Sequence, residues 1–246
     1  MSGHSKWHNI KIKKSKTDQQ RGKLFSKLAR EIIIAAKAGG GDPGSNMRLR
    51  AAIDRAREAS MPNDNIQRAI VRGAGAGEGA SFEEVTYEGM APAGVAVLVV
   101  VQTDNRNRTA SEIRNIFTKA DGSLGASVGW LFEKKGLITI KKAGASEDEV
   151  LSKAIDAGAE DMKVTSDEYE ITVAPEEFTR VKQALEAAGY PLSSADITLV
   201  PKSTVSVTGK DAQRVLRLLE ALEDHDDVQH VYANFDIPDE VLEQVG

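Results

Sequence analysis

Residues 136–201 place the tightest constraint on the fold. Their pattern predicts a strand over 137–140, a helix over 148–157, strands over 160–164 and 168–173, a helix over 175–188 ended by Gly189, and a strand over 195–200. That order, β-α-β-β-α-β, is the ferredoxin-like arrangement. The flanking stretches are each incomplete. Before residue 135 the pattern reads β-β-α-β. A short strand containing Thr86 and Tyr87 ends at Gly89, residues 90–94 turn the chain, and 95–103 form a buried strand. A polar loop over 104–109 follows, then a helix opened by Thr109 and Glu112 as a capping box, with Ile113, Ile116 and Phe117 inward. After a turn at 122–125, residues 128–132 read as a strand with Trp130 in the core. After residue 201 the order is β-α-β: a strand over 204–207, a helix over 210–222 and a strand over 228–235. Together the two halves complete one α/β sandwich. Residues 136–201 are therefore expected to be a ferredoxin-like domain inserted into a discontinuous α/β domain made of 81–135 plus 202–246.

Residues 1–80 read differently. Three helices are expected: one from Thr17 or Asp18 to 38, one capped by Ser45 or Asn46 and running to 60, and one with Pro62 in its first turn and Gly73 at its end. Their shared core is Leu24, Phe25, Leu28, Ile32, Leu49, Ile53, Ile66 and Ile70. The glycine-rich run 39–44 ends the first helix, and 73–80 reads as a flexible hinge. The fold class is thus α+β and multidomain: an N-terminal three-helix domain plus two α/β domains, one inserted into the other.

Charge divides the chain at the same place. Residues 1–80 hold 16 Lys/Arg against 7 Asp/Glu, while 81–246 hold 16 against 30, within a net charge of −5. From residue 6 to residue 30 there are nine basic side chains (Lys6, Lys11, Lys13, Lys14, Lys16, Arg21, Lys23, Lys27, Arg30) and a single acid, Asp18. Solvated faces usually mix signs. An excess of one sign that opposes the global balance points to a polyanion, with a mobile arm over 1–16 tracking phosphates. Trp7 is placed either to stack on a base or to anchor the arm to the bundle. Arg106 and Arg108, where a strand meets a helix N-terminus, are further candidates for holding phosphate, against the plainer reading of loop and cap chemistry.

Other functions lack their residues. Cysteine is absent, which removes disulfides, thiol catalysis and cysteine-type zinc sites, and points to a reducing cytoplasm. No stretch of 18 apolar residues exists, so no membrane-spanning helix is expected, and the basic N-terminus lacks the apolar region of a secretory signal. No Gly-Lys-Ser/Thr follows the run 39–44, and the glycines of 73–79 follow a helix rather than a strand, so neither nucleotide-binding fingerprint is present. His4 and His8 have a metal-binding spacing without a third ligand. His225 and His230 flank the acidic run 223–227, where a cation could bind but which reads more readily as a solvated loop. Neither catalytic residues nor a cofactor is expected.

Several stretches resemble the YebC/PmpR family: GHSKW at 3–7, RGKLFSKLAREI at 21–32, GGGDP at 39–43, MRLRAAI at 47–53, DNRNRT at 104–109 and DDVQHVYANF at 226–235. The one departure is MAPAG at 90–94, where the family pattern has an aromatic and a second glycine. The resemblance implies three domains, nucleic-acid binding and control of gene expression without catalysis. It allows a transcriptional regulator on DNA, or a translational activator working on ribosomal RNA at the ribosome. Sequence readout of DNA needs side chains that reach base edges, and no helix-turn-helix or dimerisation zipper stands out. Structured RNA is read by shape and phosphate geometry, which suits a flexible basic arm. A third possibility, a small-molecule sensor on the ferredoxin-like domain, would be revealed by a thermal-shift screen of amino acids and nucleotides.

Overall fold

The computed structural model describes residues 18–75, 82–142, 145–165 and 167–237. The expected arm over 1–16 and most of the expected hinge lie outside these residues. The fold is mixed α/β with antiparallel sheets. The described residues divide into two compact units, one within 130–204 and one within 18–129 and 205–237.

The larger unit begins with α1 (Asp18–Gly39), α2 (Met47–Glu58) and α3 (Asn63–Gly73). They share an apolar core of Leu28, Ile32, Ile33, Leu49, Ile53, Ile66 and Ile70. Leu24, expected in that core, is 46% exposed, and its neighbour Phe25 packs against the core in its place. The buried Asn46 caps α2 by accepting from the Leu49 N–H at 3.0 Å. Its amide also donates to the carbonyls of Ala35 (2.8 Å) and Gly40 (2.9 Å). One side chain thus closes the end of α1 and the start of α2. Pro62 stands just before α3 as its N-cap rather than inside it. At Gly73 a Cβ would lie 2.4 Å from the Ile33 carbonyl oxygen, so α3 approaches α1 more closely than any side chain permits.

The same unit continues with β1 (Glu83–Ala91), a 3₁₀ turn (Pro92–Gly94), β2 (Val95–Thr103), α4 (Arg106–Lys119) and β3 (Ser123–Leu124). It resumes at β8 (Val205–Ser206), α7 (Gly209–Glu223), β9 (Val228–Ala233) and β10 (Phe235–Asp236). The sheet order is β3-β1-β2-β9, all antiparallel, and β8 pairs in parallel with β10. Val95, Val97, Val99 and Val101 face Ile113 and Phe117 of α4 and Val215, Leu218 and Leu219 of α7. β2 is apolar on both faces because it is buried along nearly its whole length.

Three local expectations fail here. α4 starts four residues earlier than expected, with Asn105 as its cap accepting from the Arg108 N–H at 3.1 Å. Thr109 is no cap but a fully buried residue of the first turn. Around residues 128–132, Gly129–Leu131 is a 3₁₀ turn and Trp130 is 69% exposed. The chain is pinned there by Glu88, whose carboxylate accepts from the N–H groups of Val128 (2.6 Å) and Gly129 (2.9 Å), which leaves no ladder for a strand. The final strand is broken at Asn234, whose side chain accepts from the Ala96 N–H at 2.7 Å.

The smaller unit holds β4 (Phe132–Lys141), α5 (Glu147–Asp156), β5 (Asp161–Val164), β6 (Glu168–Val173), α6 (Phe178–Ala187) and β7 (Leu192–Pro201). Its strands lie in the order β5-β6-β4-β7, every neighbour antiparallel, so two β-α-β units interleave. Ile138, Ile140, Ile171 and Val173 pack against Val150 and Ala154 of α5 and Val181 and Leu185 of α6.

Candidate nucleic-acid interface

Lys6, Trp7, Lys11, Lys13, Lys14 and Lys16 lie outside the described residues. The remaining candidates divide between α1 and α4. Arg21 stacks over Phe25, 5.5 Å from the ring centroid. Lys23, Lys27 and Arg30 follow at spacings of four and three, which sets them on one face of α1. Arg106 begins α4 beside Tyr87, whose hydroxyl donates to the Arg106 carbonyl at 3.2 Å. Arg108 lies one position before the buried Thr109.

The face of α1 meets the acidic run 223–227, which is a docking element rather than the solvated loop expected. Helix α7 ends at Glu223, so the carbonyls of its last turn have no partners further along the helix. The ammonium of Lys27 donates to the Glu223 carbonyl at 2.7 Å, that of Lys23 to the Asp224 carbonyl at 3.1 Å, and Arg30 to the Asp226 carbonyl. Cations are favoured at a helix C-terminus because the aligned peptide dipoles leave partial negative charge there. α1 therefore caps α7 with side chains from the other end of the sequence.

Asp227 completes the contact. It is 4% exposed. Arg30 reaches its Oδ1 at 3.1 Å, while Arg108 (2.9 Å) and the Thr109 hydroxyl (2.7 Å) both reach its Oδ2. A carboxylate only accepts, so Thr109 spends its one proton on Asp227. Thr109 Oγ1 must then accept from Thr103, 2.8 Å away, and Thr103 accepts in turn from the Asn105 N–H at 2.9 Å. Burial alone would raise the Asp227 pKa, but the bonds from Thr109 and Arg108 and the charge of Arg30 outweigh it and hold the carboxyl below its ordinary value. Arg108 is held further by Asp104 at 3.0 Å.

His225 extends the network. Its Nδ1 accepts from the Asp227 N–H at 3.1 Å, which leaves Nε2 as the donor to Glu112 at 2.9 Å. Glu112, His225 and Asp227 could converge on a cation by spacing alone. Both oxygens of Asp227 already take arginine, however, and the positive charge of Arg30 and Arg108 opposes a metal there.

Elsewhere on the helices the cations are also engaged. Arg48 pairs with Glu84 of β1 at 2.6 Å, and Glu84 accepts from Gln102 at 3.1 Å. Arg50 donates to the carbonyls of Pro43 (3.0 Å) and Gly44 (2.9 Å). Phe82 lies between Arg30 and Arg72, each 5.4 Å from its ring centroid. Phe82 was not singled out from sequence, and Thr109 and Asp227 entered only as the ends of the polar loop 104–109 and of the acidic run 223–227, without the contact that joins them. The available signal was the pairing of opposites: a basic stripe and an acidic run of matching length in one chain can answer each other.

Comparison with known proteins places this arrangement in a wider group. Residues 5–76 match the model of the TACO1/YebC protein N-terminal domain, and residues 82–235 match that of the TACO1/YebC second and third domain. Among curated relatives, a probable transcriptional regulatory protein of Dictyoglomus thermophilum is 58% identical, covering 100% of both chains. One of Carboxydothermus hydrogenoformans is 57% identical over 97% of this chain and 100% of its own. Among solved structures, a conserved hypothetical protein of Aquifex aeolicus is 55% identical and superposes with a TM-score of 0.81, over 93% of this chain and 95% of that one. The basic helices and the acidic run that receives them both fall inside the matched segments, and the chain belongs to the TACO1/YebC family.

Proposed function

We propose that this protein is a nucleic-acid-binding regulator of gene expression that works through phosphate contacts from its basic N-terminal portion and performs no covalent chemistry. The observation that carries the reading is the charge division, 16 Lys/Arg against 7 Asp/Glu over residues 1–80 in a chain of net charge −5. The names of the relatives, probable transcriptional regulatory proteins, agree with it. The proposed domains are 1–80, 81–135 plus 202–246, and 136–201 inserted between those halves. The matched segments and the compact unit of residues 130–204 support that division.

DNA is the target that the relatives' names favour. A second reading, ribosomal RNA, draws support from the engagement of the described cations. Arg50 and Arg68 are tied to backbone carbonyls, a placement that suits charge and shape more than reading of base edges. Sedimentation of the tagged protein from a lysate, with and without RNase, separates the two. RNase-sensitive migration with ribosomal particles makes translation the site of action. Protein at the top of the gradient, with discrete promoter fragments in crosslinked chromatin, makes it transcription. Failure of the purified protein to bind either nucleic acid would sink both.

A further inference from the structure

We propose that the run 223–227 is an internal mimic of a nucleic-acid backbone, occupying Lys23, Lys27 and Arg30 of α1 and yielding them when a polyanion arrives. The inference rests on the nucleic-acid reading above and adds its regulation: binding of the polyanion and release of the helical head from the sheet become one competition.

Four observations carry it. First, the occupied cations are the stripe that a phosphate chain would follow along α1, spaced four and three residues apart. Second, the run offers what a backbone offers: a row of acceptor oxygens, here the carbonyls of Glu223, Asp224 and Asp226 and the Asp227 carboxylate, in a stretch with four acids in five residues. Third, the contact is polar. The head and the sheet have separate apolar cores, and Phe82 is the residue after the hinge that packs on the head's core. Fourth, an open cleft of about 560 Å³ runs beside the contact, where Lys23, Arg30 and Arg108 face Glu112, Asp224, Asp226 and Asp227, so these cations border solvent where the internal acids meet them.

The competition is physically balanced. Partly exposed ion contacts are individually weak and are screened by salt. A phosphate chain gains counterion release for every cation it engages. A closed head lowers the apparent affinity by the fraction of molecules that are open, so weakening the internal ligand must strengthen binding of the external one.

The test uses the full chain and two labelled probes of equal length, a single-stranded RNA and a DNA duplex. The variant Glu223→Gln/Asp224→Asn/Asp226→Asn removes three carboxylates while leaving every backbone acceptor in place. Asp227→Asn is the stronger lesion, and the triple variant keeps the test decisive should it fail to fold. Hydrogen exchange across residues 18–39 reports release of the head. The expected result is binding about threefold to tenfold tighter than wild type, with a salt slope steeper by about one unit for each cation recruited. A triple variant with wild-type melting temperature and unchanged affinity overturns the competition, whether or not exchange in α1 quickens, while leaving nucleic-acid binding intact. If the wild type binds neither probe, the functional reading falls and the inference falls with it.

Discussion

The two faces of α1 are held by opposite means. Its apolar face, built on Leu28, Ile32 and Ile33, is sealed into the helical core. Its cationic face is held by four acceptors at the end of α7 and the loop beyond it. Burial of the first kind is nondirectional and nearly indifferent to salt. Contacts of the second kind depend on charge state, ionic strength and competing anions. The head can therefore be stable as a bundle and conditional in its attachment.

Lesions on the two faces should differ in kind as well as in size. The largest effect is expected from Ile32→Ala on the apolar face, where the side chain is fully buried. The cavity should cost roughly 3–4 kcal/mol in denaturant unfolding, equally at low and high salt. Asp227→Ala should cost about 3 kcal/mol, because it leaves Arg30 and Arg108 facing a site without its counter-charge. Its pH dependence is the sharper test. The Asp227 pKa is lowered on folding, so its contribution is complete above the ordinary value of 3.8 and is lost as pH falls through the lower folded value. Wild type should lose this increment on acidification, and Asp227→Ala should lack that part of the slope; parallel profiles would refute the role given to Asp227.

Lys27→Met should cost only about 1 kcal/mol, and less in high salt, since it removes a part-exposed ammonium bonded to the Glu223 carbonyl while the stem keeps its packing. A cost that persists unchanged in high salt would erase the contrast between the two faces. The smallest effect lies away from both. Ala93 is exposed with φ of 60°, in the left-handed region, and Ala93→Gly should stabilise by roughly 0.5–1 kcal/mol as the relieved strain exceeds the added chain entropy.

Most of the elements were legible because their signals are local. The run 95–101 is apolar throughout and became most of the twice-buried β2. The alternation of strand and helix patterns over 136–201 anticipated the element order from β4 to β7. What could not be read was set by partners distant in sequence. Thr109 looked like a cap because a Glu stands three residues later, yet Asp227, 118 residues away, claims its hydroxyl. Trp130 looked like core by composition, but the grip of Glu88 on the backbone of Val128 and Gly129 turns the chain before it can enter a sheet. Lys23, Lys27 and Arg30 were named from sequence as phosphate candidates, and the helix sets them on one face of α1. Their docking partner inside the chain was invisible because nothing local to α1 names it.

The outward position of Trp130 also decides how this protein can be watched. The chain has two tryptophans, Trp7 and Trp130. With Trp7 replaced by phenylalanine, the remaining indole is 69% exposed in the native state. Its emission should already resemble that of a water-exposed ring and shift little on denaturation, so intrinsic fluorescence would report a folded protein as though it were unfolded. Circular dichroism is the sounder probe of its stability, and the same indole becomes a quiet background against which quenching by a bound partner stands out.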